Sequence, residues 1–115
     1  AQYQVGATKS QKDTLLAQMN AKVNALLVDE RNLNRRLERY QATLLPQARA
    51  RILAVERGYQ NNTAQFSDVI AATRDDLALQ LEQQRLLTDL NIVKSNLATL
   101  FSAFEFQVTL PVITQ

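Results

Sequence analysis

Apolar residues recur at Leu16, Met19, Val23, Leu26, Leu33, Leu37, Tyr40 and Leu44. The steps alternate between three and four, apart from a gap at Glu30. That is the heptad pattern of a helix packing along another helix. The seam resumes at Ala48, Ile52, Val55 and Tyr59, after two successive steps of four that constitute a stutter. A second heptad series runs Leu79, Leu86, Leu90, Val93, Leu97, Leu100 and Phe104, with Phe66, Val69, Ile70, Thr73 and Leu77 following it less strictly. Between the two series lies a polar run, Gly58 to Thr63. The pattern predicts an all-α protein, a long antiparallel α-helical hairpin of coiled-coil type. Its first helix covers residues 9–57, its tip turn 58–64 and its second helix 65–103.

Helix-breaking residues are few: Gly6, Gly58, Pro46 and Pro111. Pro46 falls where the stutter falls. It lacks a backbone donor and its ring opposes the carbonyl four residues back, which predicts a kink between two helical stretches rather than a break. Ser10 followed by Asp13 resembles a capping box and sets the helix start near residue 9 or 10. Residues 1–8, punctuated by Gly6, read as an extended lead-in. Phe104, Phe106, Val108 and Leu110 alternate with polar residues, which is strand periodicity, so residues 104–115 read as an extended tail that Pro111 ends. Gln80, Gln83, Gln84 and Asn91 are numerous for a tight seam, so each stem presents surfaces to water or to a further neighbour.

Composition narrows the function classes. A two-helix hairpin buries a seam rather than a globular core, and small cores are marginal, so the chain is expected to need neighbours. The 115 residues carry 13 basic and 11 acidic side chains. The densest basic cluster, Arg35, Arg36 and Arg39, is interleaved with Glu30 and Glu38. This reads as a solvated helix face and not as the basic stripe of a nucleic-acid binder. Histidine and cysteine are absent, which excludes thiol nucleophiles, Ser-His triads and Cys/His zinc sites. The adjacent Asp75 and Asp76 point about 100° apart on a helix and read as solvated surface, not as a catalytic pair. No catalytic residue, metal site or cofactor is assigned. No apolar run is long enough for a transmembrane helix.

The turn carries the candidate functional residues, because loops make contacts that packed stems cannot. Asn61 and Asn62 tolerate left-handed backbone angles. Thr63 or Ser67 can cap the second helix, and Asp68 in its first turn favours the helix dipole.

Gly58-Tyr59, Thr63, Asp68-Val69-Ile70 and Ala72-Thr73 resemble the coiled-coil tip of TolC-like outer-membrane efflux proteins. Upstream, Leu44-Leu45-Pro46-Gln47-Ala48-Arg49 is similar to a segment that often precedes that tip. Lys9-Ser10-Gln11-Lys12-Asp13 before a heptad helix is similar to the heavy-metal-exporting branch. The resemblance covers most of residues 9–103. It implies one part of the periplasmic α-barrel of a trimeric outer-membrane channel from a Gram-negative bacterium. The implied partners are copies of itself, a periplasmic adaptor and, indirectly, an inner-membrane pump, with no nucleic acid. The implied docking residues are Gly58, Tyr59, Asn61, Asn62, Thr63 and Asp68. The chain departs from the family pattern in three places. Asn62 replaces the usual turn glycine, Ala64 stands where some members carry an arginine that locks the closed tip, and Ala71 stands where some carry a second aspartate.

Two other readings compete. Periplasmic adaptors also have long α-hairpins, but their tip pattern places Leu four residues after an Arg, and here Ala78 follows Arg74 at that spacing. A structural, self-assembling coiled coil accounts for the seams and leaves the tip and Pro46 segments as coincidences.

Overall fold

The computed structural model describes the backbone of residues 2–113 and the side chains of residues 9–106. Helix α1 spans Gln2–Arg39, a π-helical turn spans Tyr40–Leu44, α2 spans Leu45–Gln60 and α3 spans Phe66–Ile113. The class is all-α, a helical hairpin, with no strand among the described residues. The chain packs as two units, one of residues 32–90 and the other combining residues up to 31 with residues from 91 onward.

In the unit of residues 32–90, Leu37, Leu86 and Leu90 form a buried cluster, and Leu33, Tyr40 and Leu87 pack against it. Burying each such leucine is worth about 1.5–3 kcal/mol. Two ion pairs cross from one helix to the other: Arg51 to Asp75 at 2.8 Å and Arg36 to Glu82 at 3.8 Å. Both are exposed and contribute at most about 1 kcal/mol each, so they mark the register more than they hold it. Arg36 thus finds its acid on the facing helix, not on its own. In the other unit Met19 and Leu97 are buried. Leu16, Val23, Leu26, Val93 and Leu100 are half-buried there. An open groove of about 420 Å³ runs between Lys22, Ala25 and Leu26 on one side and Asn96, Thr99 and Leu100 on the other.

The interruption expected at Pro46 takes the form of the π-turn that precedes it. The Leu45 N–H reaches the Tyr40 carbonyl, five residues back. The backbone is right-handed helical on both sides of that turn. Widening the turn relieves the clash between the proline ring and the carbonyl four residues before it. It also resolves the stutter. In an α-helix with about 3.6 residues per turn, a step of four overshoots a full turn. In the wider π-turn the same step falls short. The step from Tyr40 to Leu44 therefore offsets the step from Leu44 to Ala48. Tyr40, Leu44, Ala48, Ile52 and Val55 are all half-buried, so the seam continues through the interruption.

Three expectations are corrected. The backbone is helical over Gln2–Arg39 and through Ile113, so residues 2–8 and 104–113 are not extended; residues 1, 114 and 115 lie outside the described residues. A strand must exchange backbone hydrogen bonds with another strand, whereas a helix closes its own. Ser10 consequently lies inside α1, where its carbonyl accepts from the Thr14 hydroxyl at 2.9 Å, and it caps nothing. Nearest the turn, α3 does not bury Phe66, Ile70 and Leu77, which are 58%, 43% and 54% exposed. Its seam runs Val69, Ala72, Asp76, Leu79, Gln83, Leu86, Leu90, in unbroken steps of three and four. Asp76 is therefore buried at 9% exposure instead of solvated, while Asp75 remains on the surface.

Candidate functional site

The turn begins where α2 runs out of helical partners for its last carbonyls. Asn62 has φ 64°, the one positive φ among the described non-glycine residues. Around it the Thr63 N–H donates to the Gly58 carbonyl at 2.7 Å, and the Asn62 N–H donates to the Tyr59 carbonyl at 3.2 Å. These two bonds around a left-handed residue form a Schellman motif, the common way to end a helix. Asparagine fills the position usually held by glycine, as the turn chemistry predicted.

Gly58 lies inside the last turn of α2 and not in the loop: α2 continues to Gln60, and the loop covers residues 61–65 in place of the expected 58–64. Its carbonyl accepts three donors: the Thr63 N–H, the Ala64 N–H at 3.0 Å and the Thr63 hydroxyl at 3.1 Å. Glycine suits this position by its closeness to the loop, not by an unusual φ. A Cβ at this position would stand 3.0 Å from the Ala64 Cβ and 3.2 Å from the Thr63 Oγ1. Thr63 thus closes the helix before it instead of capping the one after it.

The start of α3 is capped by a group acting backwards. Asp68 Oδ2 accepts the Gln65 backbone N–H at 2.9 Å, and the Asp68 N–H donates to the Gln65 carbonyl at 3.0 Å. This is the reciprocal half of a capping box, and the carboxylate also meets the positive end of the helix dipole. Ser67, the other expected cap, only reaches the Gln65 side-chain oxygen at 3.5 Å. Replacing Asp68 with Ala is expected to cost about 1 kcal/mol. A urea melt checks it, and the same loss should not follow for Ser67→Ala.

The finished tip presents three kinds of surface. Asn61, Asn62 and Thr63 are exposed at its end. Tyr59 and Phe66 flank the turn with ring centroids 5.7 Å apart and planes tilted by 53°. These rings are 49% and 58% exposed, so they form an aromatic pair open to solvent. Phe66 keeps the spacing of a seam residue but lies outside the seam. Its partnership with Tyr59 was legible only once the turn length was known. All six candidate residues, Gly58, Tyr59, Asn61, Asn62, Thr63 and Asp68, fall in or beside this turn, but Gly58 and Asp68 are engaged in building it. The surface available to a partner is Tyr59, Asn61, Asn62, Phe66 and the exposed part of Thr63.

Among the described residues no group of three or more His, Cys, Asp or Glu side chains comes together. No described helix is long and apolar enough to cross a membrane. No protein-family profile, curated protein or solved structure matches this chain.

Proposed function

We propose that this chain is a periplasmic helical-hairpin segment of a trimeric outer-membrane efflux channel, which docks by its tip to a periplasmic adaptor of an export system. The observation that carries the proposal is the tip. A Gly-Tyr pair, a turn with a left-handed residue and an aspartate that opens the next helix recur here in the order in which TolC-like tips use them. The geometry fits a docking role, since a preformed turn loses little conformational entropy on binding and exposed aromatics are favoured as interface anchors. The Pro46 segment supports the same reading by its resemblance to the stretch preceding such tips.

Assembly with copies of itself has a separate support in charge. Residues 32–60 carry six basic and two acidic side chains, and residues 61–90 carry two basic and five acidic ones. The two arms of this unit thus have opposite sign. Side-by-side copies would bring a basic arm against an acidic arm, a head-to-tail contact of the kind that closes into a ring. The exposed Phe66, Ile70, Leu77 and Leu81 lie on the face of α3 away from its seam and are the apolar surface such a neighbour would cover.

Photo-crosslinking in cells from position 62 of the full-length parent tests the docking role. A crosslink to a periplasmic adaptor is expected. Crosslinks only to its own copies, or none despite good expression, would favour a self-assembling coiled coil.

A further inference from the structure

Asp76 occupies a seam position, between Ala72 and Leu79, and is 9% exposed. Its Oδ2 accepts from Gln80 Nε2 at 2.7 Å, while its Oδ1 is buried with no hydrogen-bond partner. A buried polar atom without a partner weakens the packing around it. Toward the leucine cluster from that level, the facing chain passes through the π-turn Tyr40–Leu44, whose Tyr40 packs on the cluster, followed by Pro46 with no donor of its own. Leu44, the last residue of that turn, lines an open groove of about 210 Å³ with Ala48, Ala72 and Leu79. Small residues, a void, an orphan oxygen and an interrupted hydrogen-bond ladder therefore coincide. The Leu37, Leu86 and Leu90 cluster lies on one side and the closed turn on the other, while the exposed Arg51–Asp75 pair borders the groove itself.

We propose that Asp76 and the π-turn form a built-in yield point of the hairpin, where the two helices part while their flanks stay paired. Opening there gives the orphan oxygen of Asp76 access to water, which offsets part of the cost of exposing the buried Leu45 and Ala72. It lets the tip tilt without unzipping the leucine cluster. Retaining a polar residue in the seam trades stability for this local freedom, as single polar core residues trade it for register in coiled coils. The proposal concerns the stem and stands or falls independently of what the tip binds.

Native-state hydrogen exchange on the 115-residue chain tests it. Amides of residues 41–45 and 73–78 are expected to exchange at least about tenfold faster than those of 33–38, 50–55 and 84–90, because local openings follow local packing. Asp76→Leu is expected to remove most of that difference, with room for the larger side chain in the adjoining groove. Asp76→Ala, which cannot overpack, is expected to act in the same direction. Slower exchange in either variant supports the yield point, including the case in which only the alanine variant folds. Uniform protection across these segments in the unaltered chain overturns it, and so does faster exchange at 41–45 and 73–78 in both variants.

Discussion

Leu86→Ala is expected to lower the stability of the chain by about 2–5 kcal/mol, the range for truncating a buried leucine. Leu86 is 1% exposed, and it joins Leu37 and Leu90 in the one cluster of fully apolar buried side chains in its unit. The cost combines the lost transfer of its methyl groups from water with the cavity left between two helices whose backbones are held by their own hydrogen bonds. At roughly 4 °C per kcal/mol for a chain of this size, the melting temperature should fall by about 8 °C or more. Marginal two-helix packing leaves little reserve, so loss of the cooperative transition itself is within the expected range. Circular dichroism melts of Leu86→Ala beside Leu81→Ala provide the comparison. Leu81 is five residues away but 62% exposed, so its truncation should change the isolated chain by about 0.5 kcal/mol or less, as surface substitutions do. Equal effects of the two variants would mean that Leu86 does not sit at the seam.

Asn62→Val is expected to be the most damaging single change at the tip. The position requires φ 64°. A β-branched side chain resists that conformation at a cost of about 1–2 kcal/mol. Moving φ to a negative value would pull the Asn62 and Thr63 N–H groups off the Tyr59 and Gly58 carbonyls. The stems would remain helical, so far-ultraviolet dichroism should change little while thermal stability falls. Under the proposed function, the same variant in the channel is expected to reduce export. Asn62→Gly separates the causes. Glycine takes this φ freely, so it should match or exceed the asparagine chain in stability. If export nevertheless falls in the glycine variant, the asparagine amide is itself a contact. Unchanged export with Asn62→Val would remove the tip from the docking role proposed for it.

The seam from Leu16 to Val55 could be read in advance because helical periodicity is a property of neighbouring residues alone. The same holds for Asn62, whose tolerance of left-handed angles follows from its own short polar side chain. Near the turn, two sets of positions compete. Phe66, Ile70 and Leu77 keep helical spacing and are apolar, so they compete with Val69, Ala72, Asp76 and Leu79 for the role of seam. Hydrophobicity favours the first set. Helix phase favours the second, because it continues without a slip from Leu86 and Leu90. Phase prevails, since a straight helix cannot rotate one turn of itself independently of the next, and an aspartate is buried as a result. Among the candidate site residues, Gly58 and Asp68 were legible as important but not in their roles. A close approach of Ala64 to Gly58, and a carboxylate reaching back to Gln65, depend on how many residues the loop takes.

The sequence by itself determined the all-α class, the two arms, the approximate position of the reversal and an interruption at Pro46. Each of these follows from contacts within a few residues of one another along the chain. Only the tertiary structure decided that the interruption is a π-turn that keeps the seam in line, that Asp76 is buried while Asp75 pairs with Arg51, and that Tyr59 and Phe66 meet in solvent. The first two outcomes depend on the register between two helices, the third on the length of the loop. Register is set by the whole length of packed seam at once, and no local stretch of sequence contains it.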